Sequence, residues 1–193
     1  GMSTLDEIKD TAKFLKDQGA EFSFLNCVSE YPPKYEEMNI GFITSLIESF
    51  PNVIIGHSDH SPDLYTTFAA VALGARIVEK HVILDKKTPG PDQSVSIDFN
   101  ELAQLVDGVR KIELSLGSIK IIQPKEMAIR EWAYRSVIAV SDMVPGMVLQ
   151  EADLTTKRPG TGIPATKLFQ LIGKELKRPV KGNTMLKWKD LIL

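Results

Sequence analysis

Between residues 5 and 116 the apolar positions switch regularly between helix-like and strand-like spacing, and beyond that point the pattern stops. This alternation constrains the fold more than any other feature of the chain. Leu5, Ile8, Ala12 and Leu15 recur at helical spacing behind Ser3 or Thr4, with Asp6 and Glu7 in the first turn and Gly19 at the end. The run Phe22 to Val28 reads as a buried strand, stopped by Tyr31-Pro32-Pro33. A helix over about Ile40 to Phe50, a strand from Val53 to Gly56, a helix over Tyr65 to Leu73 capped by Gly74, a strand over Ala75 to Ile83 and a helix over Asn100 to Leu116 follow. Strands alternating with helices imply parallel pairing through crossovers. Strand starts roughly 25 to 30 residues apart fit βαβ units. A (β/α)8 barrel typically takes about 250 residues, so three strands and four helices make less than half of one.

The texture changes after residue 117. Periodicity weakens over residues 118–135, which read as a linker, and residues 136–193 carry short β-like runs, glycines, prolines and many lysines. Ser136 to Val140 reads as a strand, Val144-Pro145-Gly146 as a turn and Ala165 to Ile172 as a short helix. A module of roughly 60 residues is marginal alone and is expected to pack against something. The predicted organisation is therefore residues 1–117, a linker over 118–135, and a β-rich domain over 136–193.

Composition excludes several classes of function. Hydrophobic residues make 43% and charged residues 25% of the chain, the balance of a folded globular protein. With 23 Lys and Arg against 25 Asp and Glu there is no basic excess for a phosphate backbone, so no nucleic-acid partner is expected. Cys27 is the single cysteine and has no internal disulfide partner, which fits a cytoplasmic protein. No apolar run reaches the length of a membrane span, so no membrane partner is expected.

Ser58 and His60 stand two apart at the end of the strand that starts near Val53, so an extended backbone aims both at one face and Asp59 at the other. His81 ends the next strand. Ligands of parallel α/β folds collect at the carboxyl ends of strands, and two imidazoles on neighbouring strands can hold a divalent ion. Hydrogen-bonded strand-end histidines would look the same in sequence. Glu79 shares the face of His81 and can either orient that imidazole or pair with a basic side chain, while Lys80 faces the other way. Asp92, after Pro89-Gly90-Pro91, is either a site carboxylate or a turn former. Ser29 and Tyr31 reach one mouth or simply end a strand. Lys157-Arg158-Pro159-Gly160-Thr161-Gly162 lacks P-loop spacing and a following helix, which rejects a nucleotide site. Arg158 still offers a planar fork of donors for a carboxylate or hydroxyls, and Lys157 can be solvated.

Taken in order, Gly56-His57-Ser58-Asp59-His60, Glu79-Lys80-His81, Pro89-Gly90-Pro91-Asp92 and Lys157-Arg158-Pro159-Gly160-Thr161-Gly162 resemble the N-acetylneuraminate (sialic acid) synthase family over nearly the whole chain. The resemblance implies condensation of phosphoenolpyruvate with an N-acetylated mannose-type sugar, releasing phosphate, with a divalent metal, manganese or magnesium. It implies an α/β fold: a partial (β/α)8 barrel lacking its N-terminal half, followed by a small β-rich antifreeze-like (SAF) domain. It also implies a homodimer in which that domain covers the partner's site. His60 and His81 match the metal ligands, Ser58 a phosphoenolpyruvate contact, and Ser29 a small polar position near it. Tyr31 matches a tyrosine near the sugar, Asp92 a sugar-binding carboxylate, Arg158 the arginine that reaches the neighbouring protomer, and Trp132 an aromatic position beside it. Asn26 and Glu30 depart from the family's pattern and leave the sugar open. Gly1-Met2-Ser3-Thr4 matches the loop after the fifth barrel strand, so the chain alone is expected to be inactive. A binding or assembly module, and a different metal-dependent aldolase on the same fold, are the competing expectations.

Overall fold

Thr4 opens the first helix, α1 (Leu5–Asp17), through a reciprocal cap: the Glu7 amide donates to the Thr4 hydroxyl, and the Thr4 amide donates to the Glu7 carboxylate at 2.7 Å. The computed structural model describes residues 1–192. It continues through β1 (Ser23–Cys27), α2 (Phe42–Ser49), β2 (Ile54–Asp59), α3 (Tyr65–Ala72), β3 (Val78–Lys80) and α4 (Phe99–Ser115). Asp98 caps α4 in the same way as Thr4 caps α1, with Glu101 as its reciprocal partner. The strands form one parallel sheet in the order β1, β2, β3.

Sheet alternation separates two faces. Ile55, 2% exposed, packs with Ala12, Ile43, Leu46, Phe50 and Ala70 in the core between sheet and helices, whereas its neighbour Ile54 is 53% exposed on the opposite face. Phe24 sits edge-on to Phe50, with ring centres 5.5 Å apart.

Two strands differ from the expected spans. β2 runs on to Asp59 because His57 and Ser58, polar but buried, pair with both neighbouring strands and buried Asp59 pairs with Lys80 of β3. β3 ends at Lys80, well short of Ile83, because the chain beyond it turns to a new partner: Val82 bridges Ile97, and the Ile97 amide donates to the His81 carbonyl at 2.9 Å. The expected helices lie within a few residues of those observed.

The second compact unit begins at Ile119, the first comprising Gly1–Ser118. Its first element, α5 (Pro124–Ala133), occupies the stretch expected to be a linker. Pro124 starts it, and Gln123 and Glu126 cap it reciprocally. It buries none of its residues; Ala128, Ile129, Trp132 and Ala133 recur at helical spacing along it, and Ile129 and Trp132 are exposed. β4 (Ser136–Ala139) and β5 (Leu154–Lys157) pair antiparallel, and α6 (Leu168–Leu171) follows. Val137, Leu149, Ile163, Leu171, Leu176 and Leu186 are among the buried residues of this unit's own core. Asp190, 4% exposed, accepts from Arg178 Nε at 2.5 Å and from the Lys187 amide at 2.7 Å.

Gly56 lets β2 and β3 approach. A Cβ there would lie 2.6 Å from the Ile77 carbonyl oxygen, closer than backbone atoms tolerate. Gly56→Val is therefore expected to cost about 1–3 kcal/mol through forced strand separation. Both tryptophans, Trp132 and Trp188, lie in the second unit. Far-UV circular dichroism should show earlier urea unfolding of the variant while the tryptophan fluorescence transition stays in place. An unmoved dichroism curve would contradict the close-approach argument.

Candidate functional site

The β2–β3 register pairs His57 with Val78, Ser58 with Glu79, and Asp59 with Lys80. Ser58 and Glu79 therefore share the face opposite the helices, and His60 and His81 each follow the last paired residue of their strands. Their ring centres are 5.2 Å apart, with planes at 68°. Tyr31 lies over them both, stacked on His60 at 4.1 Å and edge-on to His81 at 5.7 Å. Asp92 completes the group, its Oδ2 lying 3.4 Å from His81 Nδ1. The structure thus brings together His60, His81, Tyr31 and Asp92. Ser58 is buried beside them, and Ser29 is exposed at the end of β1 with no hydrogen-bond partner among the described residues.

The donor set suits a divalent ion. His60 Nδ1 lies 2.7 Å from the Val28 carbonyl and His81 Nδ1 faces Asp92, so both rings are oriented through Nδ1 and both Nε2 atoms remain without a protein partner among the described residues. That is the arrangement of metal-binding imidazoles, whose second nitrogen is held by a carbonyl or carboxylate. With each nitrogen about 2.0–2.2 Å from an ion, the ring centres fall roughly 4.5–5.2 Å apart at ordinary ligand angles. Among the described residues no group of three or more His, Cys, Asp and Glu gathers around one point. An ion here would take its remaining ligands from water and substrate oxygens.

Glu79 does not orient His81. It accepts a 2.6 Å hydrogen bond from the Ser58 hydroxyl, because the strand register sets these two residues side by side. Asp92 occupies the orienting position instead.

A second polar cluster fills the opposite face of the same strand ends, and sequence reasoning saw only that Asp59 and Lys80 point away from the histidines. Lys80 Nζ lies 3.2 Å from Asp59 Oδ2, with both side chains almost wholly buried. Asp59 also accepts from the Ser61 amide at 2.8 Å, Thr66 Oγ1 at 2.9 Å and Thr67 Oγ1 at 2.6 Å. Burial alone would raise the Asp59 pKa, but hydrogen bonds from Thr67 and Ser61 and the charge of Lys80 outweigh it and leave the carboxyl below its ordinary value. Burial holds the Lys80 ammonium below its ordinary pKa, partly offset by Asp59. The signal available in sequence was a lysine and an aspartate of equal parity on neighbouring strands.

His57 lies on this inner face, fully buried, with Nδ1 2.9 Å from the Asn26 carbonyl. Its Nε2 has no hydrogen-bond partner among the described residues and stands 3.8 Å from Asp59 Oδ1. Burial pushes its pKa down, against the pull of Asp59.

Within the second unit Arg158 lies over the ring of Trp132, 5.0 Å from its centre, and its Nε donates to the Ala133 carbonyl at 3.0 Å. Ser136 pins the loop carrying this arginine: its hydroxyl donates to the Pro159 carbonyl at 2.7 Å and accepts from the Gly162 amide at 2.8 Å. Lys157 is exposed to solvent and also bonds Asn183, with 2.5 Å between Nζ and Oδ1. Among the described residues no helix is long and apolar enough to cross a membrane.

The first unit is thus an α/β unit with adjacent strand-end histidines, and the second is small and β-rich. The chain belongs to the NeuB family, which matches residues 1–121, and a SAF domain matches residues 134–192. It is 38% identical to the human N-acetylneuraminate-9-phosphate synthase, over 91% of this chain and 50% of that protein. It is 34% identical to the N,N'-diacetyllegionaminic acid synthase of Campylobacter jejuni, over 97% of this chain and 57% of that one. The chain thus spans about half the length of these relatives. A crystal structure of a spore coat polysaccharide biosynthesis protein E from Chromobacterium violaceum superposes with a TM-score of 0.72 at 21% identity, over 100% of this chain and 59% of that one, and shares its fold.

The buried His57 makes stability depend on pH. Its folded-state pKa is below the ordinary 6.5, so below about pH 6.5 the unfolded chain takes up a proton that the folded chain refuses. Stability then falls with falling pH until the folded imidazole also protonates. The urea midpoint should drop between pH 7.5 and 5.5, and His57→Gln should remove part of that drop. An equal drop in both proteins would contradict the assignment.

Proposed function

We propose that this chain supplies the metal-binding and sugar-binding part of a synthase that joins phosphoenolpyruvate to an N-acetylated mannose-type sugar and releases phosphate. The observation that carries the reading is the His60–His81 pair, with Tyr31 on both rings, Asp92 at His81 Nδ1 and both Nε2 atoms without a protein partner among the described residues, in a member of the NeuB family. The overall change consumes phosphoenolpyruvate, the sugar and one water, and yields a sugar acid and inorganic phosphate.

His60 and His81 hold a manganese or magnesium ion. Held there, such an ion would supply Lewis-acid polarisation of the sugar carbonyl. Asp92 both steadies the His81 ring and accepts a sugar hydroxyl, for which its half-exposed carboxylate leaves room. Tyr31 shields the imidazoles from bulk water by covering His60. Ser58, held by Glu79, contacts phosphoenolpyruvate, and Ser29 lies near it. In this reading the three-stranded sheet is the C-terminal part of a (β/α)8 barrel. The groups that bind most of the phosphoenolpyruvate phosphate belong to the other part, so the chain alone does not turn over. The working protein is a cytoplasmic homodimer whose SAF domain covers the partner's site.

Phosphate release from phosphoenolpyruvate and N-acetylmannosamine tests this in the presence of manganese. The chain alone should show none. Linking it to the barrel's N-terminal half from a relative should restore turnover, and His60→Ala in that protein should lower it more than ~100-fold. Turnover unaffected by His60→Ala would overturn the assignment. The open edges of β1 and β3 favour a second reading, an assembly module. Association of the chain without turnover in the completed protein would support that reading instead.

Arg158, presented on a loop pinned by Ser136 and stacked on Trp132, acts in trans on the partner's sugar site. A charge-assisted hydrogen bond contributes about 1.5–3 kcal/mol, so Arg158→Ala in the completed enzyme should weaken sugar use roughly 10- to 150-fold and leave phosphoenolpyruvate affinity nearly unchanged. Mixing Arg158→Ala protomers with His60→Ala protomers should restore part of the activity, since one site in the mixed dimer holds both groups. No recovery after verified subunit exchange would place Arg158 in its own chain's site or outside catalysis.

A further inference from the structure

The β2–β3 ladder ends at the pair Asp59 and Lys80, and both histidines lie one residue beyond it. Backbone pairing between these strands therefore does not itself set the distance between His60 and His81. What crosses between the strands at that point is the Lys80 side chain. Its ammonium lies 3.2 Å from Asp59 Oδ2 and donates to the Ser61 carbonyl. Asp59 in turn takes the Ser61 amide at 2.8 Å. The residues before and after His60 are thus tied to the residue before His81 by one buried knot. We propose that Lys80 and Asp59 are positioning residues, a clamp that sets the separation and orientation of the His60 and His81 imidazoles.

The surroundings fit a positioning role better than a stabilising one. A buried ion pair recovers little net stability, because desolvation of two charges cancels much of their attraction, and apolar replacements often serve as well. Here the pair lies on the same, helix-facing side of the sheet as the apolar core residue Ile55. Yet Asp59 is supplied with donors from Ser61, Thr66 and Thr67, all buried, and Lys80 reaches past it to a backbone carbonyl. A fully satisfied polar network of this kind holds one geometry. His60 is also held at Nδ1 by the Val28 carbonyl, and His81 by Asp92 at Nδ1 and by the Ile97 amide at its carbonyl. Tyr31 packs on both rings by stacking and edge contact, whereas the Lys80 knot is the hydrogen-bonded tie between the two strand ends.

The proposal deepens the reading of the histidine pair as a metal site and rests on it for its functional consequence. The test uses the intact chain labelled at its three histidines. Ring centres at 5.2 Å should give a nuclear Overhauser cross-peak between the His60 and His81 ring protons in the metal-free protein. Lys80→Met and the double variant Asp59→Asn/Lys80→Met are expected to lose that cross-peak and to raise the manganese dissociation constant at least tenfold. The double variant should keep the urea midpoint of the unaltered chain, since both buried charges are removed together. Thr67→Val, which removes one donor to Asp59 but leaves the tie, should lower the midpoint and keep the cross-peak.

A folded double variant with the cross-peak and manganese affinity intact would overturn the clamp, as would absence of the cross-peak from the unaltered chain. Loss of the cross-peak in Thr67→Val would do the same, by showing that the separation follows stability alone. If the neutral variants do not fold, Lys80→Arg keeps a positive charge beside Asp59 while replacing the single ammonium at the Ser61 carbonyl. Retention of the cross-peak there overturns the clamp, and its loss in a folded protein supports it. Failure of manganese to broaden the His60 and His81 signals, with the cross-peak present and clamp-dependent, would remove the metal reading and leave the clamp standing.

Discussion

Parallel pairing of β2 with both neighbours is the constraint on which the rest of the first unit depends. Once Cys27, Ser58 and Glu79 lie side by side, alternation sorts every following side chain to one of two faces. His57, Asp59 and Lys80 go under the helices, where charge is costly and must be matched. Ser58, His60 and His81 go to the other face, where imidazoles meet Tyr31 and Asp92. Gly56 makes this possible by allowing the strands to approach closely enough for the ladder to continue.

The two faces of these strand ends perform different physical tasks with similar residues. On the helix side, a carboxylate, an ammonium and three hydroxyl groups satisfy one another, and the cluster is closed to water. On the other side, each imidazole is satisfied at one nitrogen only. Unspent donor capacity at a strand end is what distinguishes a binding site from a structural network. His57 sits between these cases: it is buried like the first group, yet its Nε2 is unpaired among the described residues.

The second unit repeats this economy on a smaller scale. Its apolar core is accompanied by a few polar side chains that bond to backbone, Ser136 to the loop around Arg158 and Asp190 to the chain near its end. The exposed arginine is held by its surroundings rather than left free. Stacking on Trp132 and a bond to the Ala133 carbonyl limit the conformations from which its guanidinium would have to be ordered on binding.

Helices α1 and α4 were legible because their signals are local: the start at Ser3 or Thr4 with Glu7 in the first turn, and the apolar periodicity from Asn100 onward, need no tertiary partner. The four ordered motifs likewise pointed to the family before any fold was known. Helix α5 was passed over because its ten residues buried nothing and lay in a stretch of weak periodicity, and β2 was read too short because buried polar residues look like loop. The chain's own pattern determined the alternation of strands and helices, the parity that put His60 with Ser58 and Asp59 opposite, and the membership that makes the histidines a metal site to test. Only tertiary structure decided that Ser58 takes Glu79, that Asp92 rather than Glu79 faces His81, and that Lys80 closes on Asp59 and Ser61. The physical reason is that partner choice depends on register and distance between strands more than 15 residues apart, and no local rule carries that information.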